Sequence, residues 1–406
     1  MQNLLQELEE RGLVYQKSPE IEAAFEKCAT LYLGYDPTGP DLHIGHLLGI
    51  TLLKRAREHG QKIIILVGGG TSMIGDPGGK DAERPILPKE KIEENKEAMK
   101  KQFSRFFEFD GDTVKMVDNA EWLEKTGLID FLREAGKYIS INTMLDKDSV
   151  SARITREEGI SYAEFSYQLL QAFDFMHLYT DHDCNIQIGG SDQWGNIIQG
   201  VELIRKRLQK QAFALSYPLI VNPKTGKKFG KTESGEGIWL NPEKTHPFKF
   251  YQFLLNTDDD LAPQLMKFFS FKSMDEINGI IEKWNEAKHE RLLQKELAFE
   301  VTAMAHGQKE AEQTREIAGI LFDKKEAKLT EENMDFLKTA LPYGKLEQSD
   351  DFDLAKYALI AGLVSSMGEA KRLVEQKGLS FEEIGSRYIL LKKGKREFGV
   401  VEKISV

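Results

Sequence analysis

The chain has 406 residues, enough for two to three domains, and its net charge of −10 argues against a protein that coats nucleic acid nonspecifically. Hydrophobic residues make up 41 %, no apolar run reaches the ~18 residues that a membrane span needs, and the N-terminus is acidic, so we expect a cytoplasmic protein without a secretory signal or membrane contact. The two cysteines, Cys28 and Cys184, give no disulfide framework and disfavour structural zinc.

Predicted strands and helices alternate over the first two hundred residues. Short apolar runs predict strands at 30–35, 62–67, 113–117 and 185–188. Helical periodicity predicts helices at 44–58, 89–107 and 163–178, and another that begins at Trp194. This alternation is typical of an α/β fold with a doubly wound parallel sheet, whose ligands bind beyond the carboxyl ends of the strands.

The composition changes near residue 247. Residues 247–322 have helical periodicity, whereas 323–352 are charged and thinly apolar, as in a linker. The pattern of residues 353–406 predicts a helix-turn-helix-like unit followed by short strands. The composition of the linker suggests that the body of the protein, which precedes these residues, folds without them. From Lys356 to the end, ten basic and six acidic residues give +4, whereas the rest carries −14. A basic module behind an acidic body is typical of a protein that binds a polyanion locally.

The first strand-to-helix connection, DPTGPDLHIGH at 36–46, places two histidines at a helix start. The free N–H groups and positive dipole end of a helix favour phosphate, and Gly45 lets a flat base lie close to the backbone. His43 and His46, spaced i, i+3, could also form a metal site or reflect ordinary helix polarity. The order of strand, Pro/Gly loop and HIGH favours a nucleotide site.

A glycine-rich segment, GGGTSMIGDPGGKDAER at 68–84, follows the second predicted strand. It is not a Walker motif, because its glycines are spaced wrongly and Asp81 stands where Ser or Thr is required. The glycines can simply form a tight turn. The candidate functional residues are therefore Asp76, an anion at the strand edge, and the pair Lys80 and Arg84.

A lysine-rich segment, PKTGKKFGKT at 223–232, has four lysines within eight positions. Lysines at this density repel one another unless an anion is bound, and the interleaved glycines predict mobility. We interpret the segment as a flexible polyphosphate clamp that closes on the transition state. The alternative is a solvated basic loop.

A predicted helix over 161–175 carries Tyr167, Gln171 and Asp174 at i, i+4 and i+7, and therefore on one face. The segment IGGSDQWGN at 188–196 follows the next strand and opens another helix. Polar groups in an apolar helix either satisfy one another in the core or line a ligand pocket, and three in register favour the pocket.

Together these motifs resemble the bacterial tyrosyl-tRNA synthetases, which are class I enzymes. The resemblance rests on HIGH at 43–46, the KMSKS-like KFGKT at 228–232, YxxxQxxD and GGSDQWGN, and it covers essentially the whole chain. The clamp departs from KMSKS at Phe229, Gly230 and Thr232 but keeps both lysines and the final hydroxyl.

The resemblance implies a domain order and a homodimer. The domains would be a Rossmann-type catalytic domain with a connective insertion at 1–222, the clamp loop and a connection at 223–246, an α-helical anticodon-region domain at 247–322, a linker at 323–352 and a small α+β RNA-binding module at 353–406.

The resemblance also implies roles for individual residues. The phenolic hydroxyl of substrate tyrosine would bind to Tyr32 and Asp174, its ammonium to Asp76, Tyr167 and Gln171, and the rest of the pocket would be lined by Asp36, Gln187 and Gln193. ATP and its ribose would be held by Thr38, His43, Gly45, His46, Gly190 and Asp192, and its β- and γ-phosphates by Lys80, Arg84, Lys228, Lys231 and Thr232. The residues expected to bind tRNA phosphates are Lys371, Arg372, Lys377, Lys392, Lys393, Lys395 and Arg396.

The expected reaction is activation of L-tyrosine followed by transfer. The tyrosine carboxylate, ionised at neutral pH, attacks the α-phosphate of ATP in line, so no protein base is required. A ribose hydroxyl at the 3′ end of tRNA(Tyr) then attacks the adenylate. Mg²⁺ accompanies ATP as substrate, and we expect no tightly bound cofactor and no metal held by the protein.

Three other functions share parts of this pattern. A tryptophanyl synthetase has the same fold and both signatures, but an indole offers no hydroxyl to Tyr32 and Asp174. A small-molecule adenylyltransferase needs HIGH but not the basic module. A noncatalytic RNA-binding protein derived from a synthetase needs neither intact HIGH nor both clamp lysines.

Overall fold

The computed structural model describes residues 3–77, 87–145, 147, 150–151, 154, 159–222, 226, 229–230, 235–322, 327–347, 353–394 and 396–404. Within these ranges no helix is long and apolar enough to cross a membrane. The described residues form two compact units, Met1–Asn241 with Asp258–Leu293, and Pro242–Thr257 with Gln294–Val406.

The first unit contains a six-stranded sheet in the order β1-β6-β5-β2-β3-β4. Its strands are β1 (Gln16–Lys17), β2 (Thr30–Tyr35), β3 (Lys62–Val67), β4 (Val114–Asp118), β5 (Ile186–Gly190) and β6 (Phe213–Tyr217). All neighbours are parallel except β1 and β6. Strands β3 and β5 are almost continuously apolar because both faces of a parallel sheet are covered by helices. The predicted α/β fold with a parallel sheet is confirmed.

The helices, in chain order, are α1 (Leu4–Glu10), α2 (Glu22–Phe25), α3 (Ile44–Glu58), α4 (Lys89–Phe103), α5 (Ala120–Leu123), α6 (Leu128–Glu134), α7 (Ile141–Leu145), α8 (Tyr162–His182), α9 (Trp194–Leu208), α10 (Pro247–Leu255), α11 (Ala262–Phe269), α12 (Met274–Glu286), α13 (Leu292–His306), α14 (Gln308–Phe322), α15 (Glu331–Leu337), α16 (Leu354–Ile360) and α17 (Met367–Glu375). Residues 247–322 are helical, as their periodicity predicts. Of these helices, α11 and α12 lie in the first unit and α10 and α14 in the second.

Strands β2 and β5 are neighbours although about 150 residues separate them, with Tyr32 opposite Gln187. The connection after β2 contains DPTGPDLHIGH, and β5 runs into GGSDQWGN. Because carboxyl ends of parallel strands meet at one edge of a sheet, the pairing brings the two motifs together.

A buried ion cluster joins α1 to α3 and to the end of α11. The Glu7 carboxylate accepts from Arg11 Nε at 2.7 Å and lies 2.7 Å from His59 Nε2. It also pairs with Arg55, which is 1 % exposed. Arg11 donates to the carbonyl of Ser270 at 3.0 Å. One carboxylate therefore compensates two buried guanidinium groups.

We expect Glu7→Ala to destabilise the protein by about 3 kcal/mol, because breaking a buried ion pair leaves uncompensated charges. Burial alone would raise the pKa of Glu7, but hydrogen bonds from His59 and Arg11 and the charge of Arg55 lower it below its ordinary value of 4.5. The stability contributed by ionised Glu7 is therefore present above pH 4.5 and is lost as pH falls through the lowered pKa.

Denaturant unfolding at pH 7 and pH 4 measures this effect. Glu10→Ala, at an exposed position of the same helix, is the matched control and should change stability by less than about 0.5 kcal/mol. A Glu7→Ala protein as stable as this control would contradict the cluster's role.

The second unit contains a four-stranded sheet in the order β7-β10-β9-β8. Its strands are β7 (Tyr343–Glu347), β8 (Leu379–Ile384), β9 (Tyr388–Lys393) and β10 (Glu397–Ile404). Strand β7 is parallel to β10, and the other pairs are antiparallel.

The structure differs from the predicted linker at 323–352. Residues 331–337 form α15, and 343–347 form β7, which pairs with β10. Met334 and Leu337 are fully buried against Tyr388 and Leu390 of β9. The segment is thinly apolar, but these few side chains suffice to fix it to the sheet. Removal of residues 353–406 would uncover this part of the core of the second unit, and the suggestion that the body folds without them stays a prediction.

Candidate active site

The HIGH segment begins α3 with reciprocal hydrogen bonds between its histidines. His43 is the N-cap, and its Nδ1 accepts from the Gly45 N–H at 3.1 Å. His46 Nδ1 accepts from the His43 N–H at 3.1 Å, and the two rings stack with centroids 3.7 Å apart. With Nδ1 as acceptor in each ring, the neutral imidazoles carry their protons on Nε2 and can donate to a ligand.

The electrostatics of this pair keep His46 neutral. Burial, with the neighbouring His43 ring, holds the pKa of His46 well below its ordinary value. Gly45 is required by geometry, since a Cβ there would lie 2.8 Å from His43 Cε1. Larger residues at this position would displace the N-cap ring.

Of the lysine-rich segment the structure describes Gly226, Phe229 and Gly230, so Lys228, Lys231 and Thr232 lie outside the described residues. The Ile238 N–H donates to the Gly230 carbonyl at 2.9 Å, and the Ile44 N–H donates to the Ile238 carbonyl at 2.9 Å. Gly230 has φ +114°, and a Cβ there would lie 3.0 Å from Ile44. Gly230 therefore lies against the first turn of α3, and a glycine is required where KMSKS has a serine.

The three glycines after β3 form a turn. A Cβ at Gly68 would lie 2.0 Å from Asp36 Oδ1, and one at Gly69 would lie 2.4 Å from Asp118 Oδ1. The Gly69 N–H donates to that Asp118 oxygen at 3.1 Å. These glycines therefore let carboxylates approach the backbone. The turn agrees with the interpretation that the glycines of this segment form a tight turn. Lys80 and Arg84 lie outside the described residues.

Asp174 lies in α8 with both carboxylate oxygens hydrogen-bonded. Asn119 Nδ2 donates to Oδ2 at 2.8 Å, and Trp122 Nε1 donates to Oδ1 at 2.7 Å. The Trp122 ring stacks on His177 with centroids 4.2 Å apart. Burial raises the pKa of Asp174 to about 8 against the effect of these bonds, and the charges of Asp36 and Asp118 add to the rise.

Asn119 and Trp122 were not predicted from the sequence as residues of the site. Both follow β4 at the carboxyl edge of the sheet, which is the signal that could have found them. They orient the Asp174 carboxylate, so the site includes residues from a fourth strand end.

Asp36 connects two further elements. Its Oδ1 accepts from Thr71 Oγ1 at 2.8 Å and its Oδ2 from the Tyr167 hydroxyl at 2.9 Å. Asn119 Nδ2 also donates to Thr71 Oγ1 at 3.0 Å. A continuous set of hydrogen bonds therefore joins Asp36 to Asp174 through Thr71 and Asn119.

Three buried polar atoms of the predicted pocket have no hydrogen-bond partner among the described residues. They are the hydroxyl of Tyr32 and the Oε1 atoms of Gln171 and Gln187. Tyr32 is 1 % and Gln187 2 % exposed, and the negative charge of Asp174 acts on Tyr32. Burying polar atoms unpaired costs about 1–3 kcal/mol each, so these positions are typical of a binding site for a polar ligand.

Asp76 and Gln193 are joined at the other end of the pocket. Gln193 Nε2 donates to Asp76 Oδ2 at 2.7 Å, and Asn196 Nδ2 donates to Gln193 Oε1 at 3.1 Å. Lys147 Nζ donates to Asn196 Oδ1 at 2.7 Å. Burial lowers the pKa of Lys147 to about 7, although the charge of Asp76 opposes this. Lys147 and Asn196 are further residues of the site that were not predicted from the sequence.

The remaining candidate nucleotide residues lie at two strand ends. Gly190 is opposite Tyr217 of β6, and a Cβ at Gly190 would lie 2.7 Å from Asp192 Oδ1. Thr38 is exposed, and its N–H donates to the Asp36 carbonyl at 2.8 Å. Among the described residues there is no group of three or more His, Cys, Asp and Glu that could hold a metal ion.

The predicted tRNA-binding residues fall into two groups in the second unit. Lys371, Arg372, Lys377 and Arg396 are exposed, and no ion pair forms on them among the described residues. Lys392 lies 3.1 Å from Glu382, and Lys393 lies 3.4 Å from Glu369 and 3.3 Å from Glu397. Lys395 lies outside the described residues.

Comparison with known proteins places this geometry in one family. Residues 25–323 match the family described as tRNA synthetases class I (W and Y). A protein of Roseiflexus castenholzii named tyrosine–tRNA ligase is 39 % identical over the full length of both chains. One of the same name from Staphylococcus saprophyticus is 40 % identical and covers 98 % of each chain.

Solved structures give the same result. A C-terminally truncated mitochondrial tyrosyl-tRNA synthetase of Aspergillus nidulans superposes with a TM-score of 0.72 at 30 % identity, covering 79 % of this chain and 95 % of its own. A tryptophanyl-tRNA synthetase of Plasmodium falciparum, 14 % identical with a TM-score of 0.56, shares the fold alone. The chain therefore belongs to the class I tRNA synthetases of the W and Y group, and within it to the tyrosine–tRNA ligases.

Proposed function

We propose that this chain activates L-tyrosine with ATP to tyrosyl adenylate and pyrophosphate, and then transfers tyrosine to the 3′ end of tRNA(Tyr). The observation that carries the proposal is the set of unpaired polar atoms on Tyr32, Gln171 and Gln187 beside the oriented carboxylate of Asp174. A ligand with a phenol and an amino-acid end supplies partners for all of them.

The phenol end is bound by Tyr32 and Asp174. Each Asp174 oxygen already accepts one donor from the protein, and a carboxylate oxygen has a second lone pair that can accept the substrate hydroxyl. The indole of tryptophan has no hydroxyl to donate here, and phenylalanine would leave the buried groups unpaired. This favours tyrosine over its aromatic competitors.

The amino-acid end is bound by Asp76, Tyr167 and Gln171, with Asp36, Gln187 and Gln193 lining the rest. The charges of Asp76 and Asp36 favour an ammonium group, and the Tyr167 hydroxyl is fixed by its bond to Asp36. The substrate carboxylate then faces the nucleotide.

ATP binds at the first turn of α3, where both imidazoles can donate from Nε2, with Thr38, Gly45, Gly190 and Asp192 completing the adenosine site. The substrate carboxylate attacks the α-phosphate in line. Catalysis is positioning and charge neutralisation by Lys80, Arg84, Lys228, Lys231 and Thr232. Mg²⁺ arrives with ATP as part of the substrate.

Amino-acid-dependent exchange of pyrophosphate into ATP tests this function. We expect exchange with tyrosine and none with tryptophan or without amino acid. Exchange driven by tryptophan would assign the chain to the other branch of the family, and no exchange with any amino acid would overturn the proposal.

The clamp lysines should act in the transition state. Lys228→Ala or Lys231→Ala is expected to lower kcat for adenylate formation about tenfold with little change in ground-state ATP affinity, since a charge-assisted hydrogen bond made only in the transition state is lost. Single-turnover kinetics measure this effect. Weak ATP binding with a normal single-turnover rate would count against the clamp.

The domain roles belong to the same proposal. Residues 1–222 form the catalytic domain with its insertion, 223–246 the clamp and connection, 247–322 the anticodon-region helices and 353–406 the RNA-binding module, in a cytoplasmic enzyme. We place 331–347 with the RNA-binding module, because β7 pairs with β10.

We also propose a homodimer formed through the described residues between 128 and 162. Their exposed apolar side chains include Leu128 at 71 %, Ile129 at 66 %, Ile141 at 63 % and Tyr162 at 74 % exposure. Helix α6 buries none of its residues within the first unit. A surface of this kind is typical of a subunit interface.

A further inference from the structure

Helix α4 holds the loop before α3 through two side-chain amides, and none of the expected roles uses them. Asn95 Nδ2 donates to the Pro37 carbonyl at 2.9 Å, and Gln102 Nε2 donates to the Pro40 carbonyl at 2.8 Å. The Leu42 N–H donates to Gln102 Oε1 at 3.0 Å. One helix therefore fixes the backbone of loop 37–42 at three points.

The position of these amides on α4 indicates a specific role. Asn95 and Gln102 are seven residues apart and lie on the same face of the helix. They are 1 % and 5 % exposed, and their neighbours on this buried face are Ile92, Met99 and Phe103. Burying an amide costs free energy unless it is hydrogen-bonded, and the backbone of loop 37–42 supplies the partners.

The loop held in this way carries residues of the nucleotide site. Thr38 lies between the two prolines, and Leu42 precedes His43, the N-cap of α3. The Leu42 carbonyl also accepts from the Leu240 N–H at 2.8 Å. Leu42 is thus bound by Gln102 on one side and by the chain after the lysine-rich segment on the other, so a shift of Leu42 would move the first HIGH histidine.

We propose that Asn95 and Gln102 are positioning residues for the formation of the adenylate. They do not touch the substrates but hold loop 37–42, and so determine where Thr38 and His43 meet ATP. This assignment rests on the proposed function and adds residues that act through its ATP site. A displacement of about 1 Å at reacting groups can cost about 100-fold in rate, so such a role is visible in kcat.

The test is tyrosine-dependent pyrophosphate exchange by Gln102→Met, which keeps the length of the side chain and removes both of its bonds to the loop. We expect kcat to fall about 10- to 100-fold with KM for tyrosine unchanged. Asn95→Leu removes one bond and should lower kcat about 3- to 10-fold. Equilibrium dialysis with labelled tyrosine counts the folded sites, so that kcat is expressed per folded site.

Gln61→Met is the matched control. Gln61 is also 5 % exposed, and it too holds backbone on both sides, accepting from the Ala29 N–H at 2.7 Å and donating to the His59 carbonyl at 3.3 Å. These bonds lie at the amino end of β2, at the opposite edge of the sheet from the site. We expect Gln61→Met to lower Tm about as much as Gln102→Met and to keep the wild-type kcat.

Three kinetic results would overturn the assignment. They are a wild-type kcat in Gln102→Met, an equal fall of kcat in Gln61→Met, and a raised KM for tyrosine with unchanged kcat. If Gln102→Met does not fold, Asn95→Leu decides by the same criteria, and unfolding of both variants would assign the amides to stability instead. Failure of the proposed function is distinguishable, because the wild-type protein would then show no tyrosine-dependent exchange.

Discussion

Asp174→Ala is expected to lower kcat/KM for tyrosine about 10- to 100-fold while leaving ATP affinity nearly unchanged. The variant removes the acceptor of the substrate phenol, and a polar group that is buried without a partner costs about 1–3 kcal/mol. It also leaves the buried donors of Asn119 and Trp122 without their acceptor, which lowers the stability of the free enzyme and of the complex alike. Steady-state exchange kinetics with varied tyrosine measure the loss.

Two further variants separate the causes. Asp174→Asn keeps the shape of the side chain but replaces one acceptor by a donor, so its kcat/KM for tyrosine should also fall. Asp181→Ala removes an exposed carboxylate from the same helix and should behave as wild type. An Asp174→Ala enzyme with unchanged kcat/KM for tyrosine would mean that Asp174 does not contact the substrate.

Those residues of the amino-acid pocket that lie close together in sequence could be predicted from their spacing. Tyr167, Gln171 and Asp174 share one helix, so periodicity places them together. Asn119 and Trp122 are 55 and 52 residues from Asp174 and belong to another strand end. Short polar residues after a strand have many roles, and only the tertiary pairing of strands shows which carboxylate they hold.

Single glycines were harder still to interpret. Gly49 lies inside α3, where a glycine costs about 1 kcal/mol relative to alanine and periodicity gives it no function. Its reason is the approach of Leu33, Tyr35 and Tyr217. Leu33 and Tyr35 belong to β2 and Tyr217 belongs to β6, so the sequence around Gly49 does not show this approach. The same holds for Lys147, whose partner Asn196 is 49 residues away.

The predicted linker failed for a different physical reason. Composition averaged over 323–352 is polar, but burial depends on individual side chains. Met334, Leu337 and Leu346 are each no more than 4 % exposed, and β7 pairs in parallel with the last strand of the chain. A prediction from short stretches of sequence cannot detect such pairing, because β10 begins 50 residues after β7 ends.

This packing determines how the RNA-binding module should be tested. A chain ending near residue 351 would remove β8, β9 and β10 and uncover the core around Met334 and Leu337, so loss of charging would not separate RNA binding from misfolding. Charge-neutralising substitutions at exposed positions avoid this problem, because they leave the sheet and its core intact.

Replacing Lys371, Arg372 and Lys377 together by Gln is expected to raise KM for tRNA about 100-fold at physiological salt, while tyrosine-dependent pyrophosphate exchange stays at the wild-type level. These three side chains are exposed and make no ion pair among the described residues, so their charges are available to phosphates. Each lost phosphate contact should reduce the slope of log KM against log salt concentration by about one.

The chain supplies a matched control in the same module. Lys392→Gln with Lys393→Gln removes two charges that are already paired with Glu382, Glu369 and Glu397, so we expect a much smaller rise in KM and little change in salt dependence. Aminoacylation measured from low to high salt compares the two variants. Because both keep the fold and the catalytic site, equal KM values and equal salt slopes would mean that exposure and pairing do not determine which lysines bind RNA. A triple variant that matches wild type would mean that this face of the module does not contact tRNA.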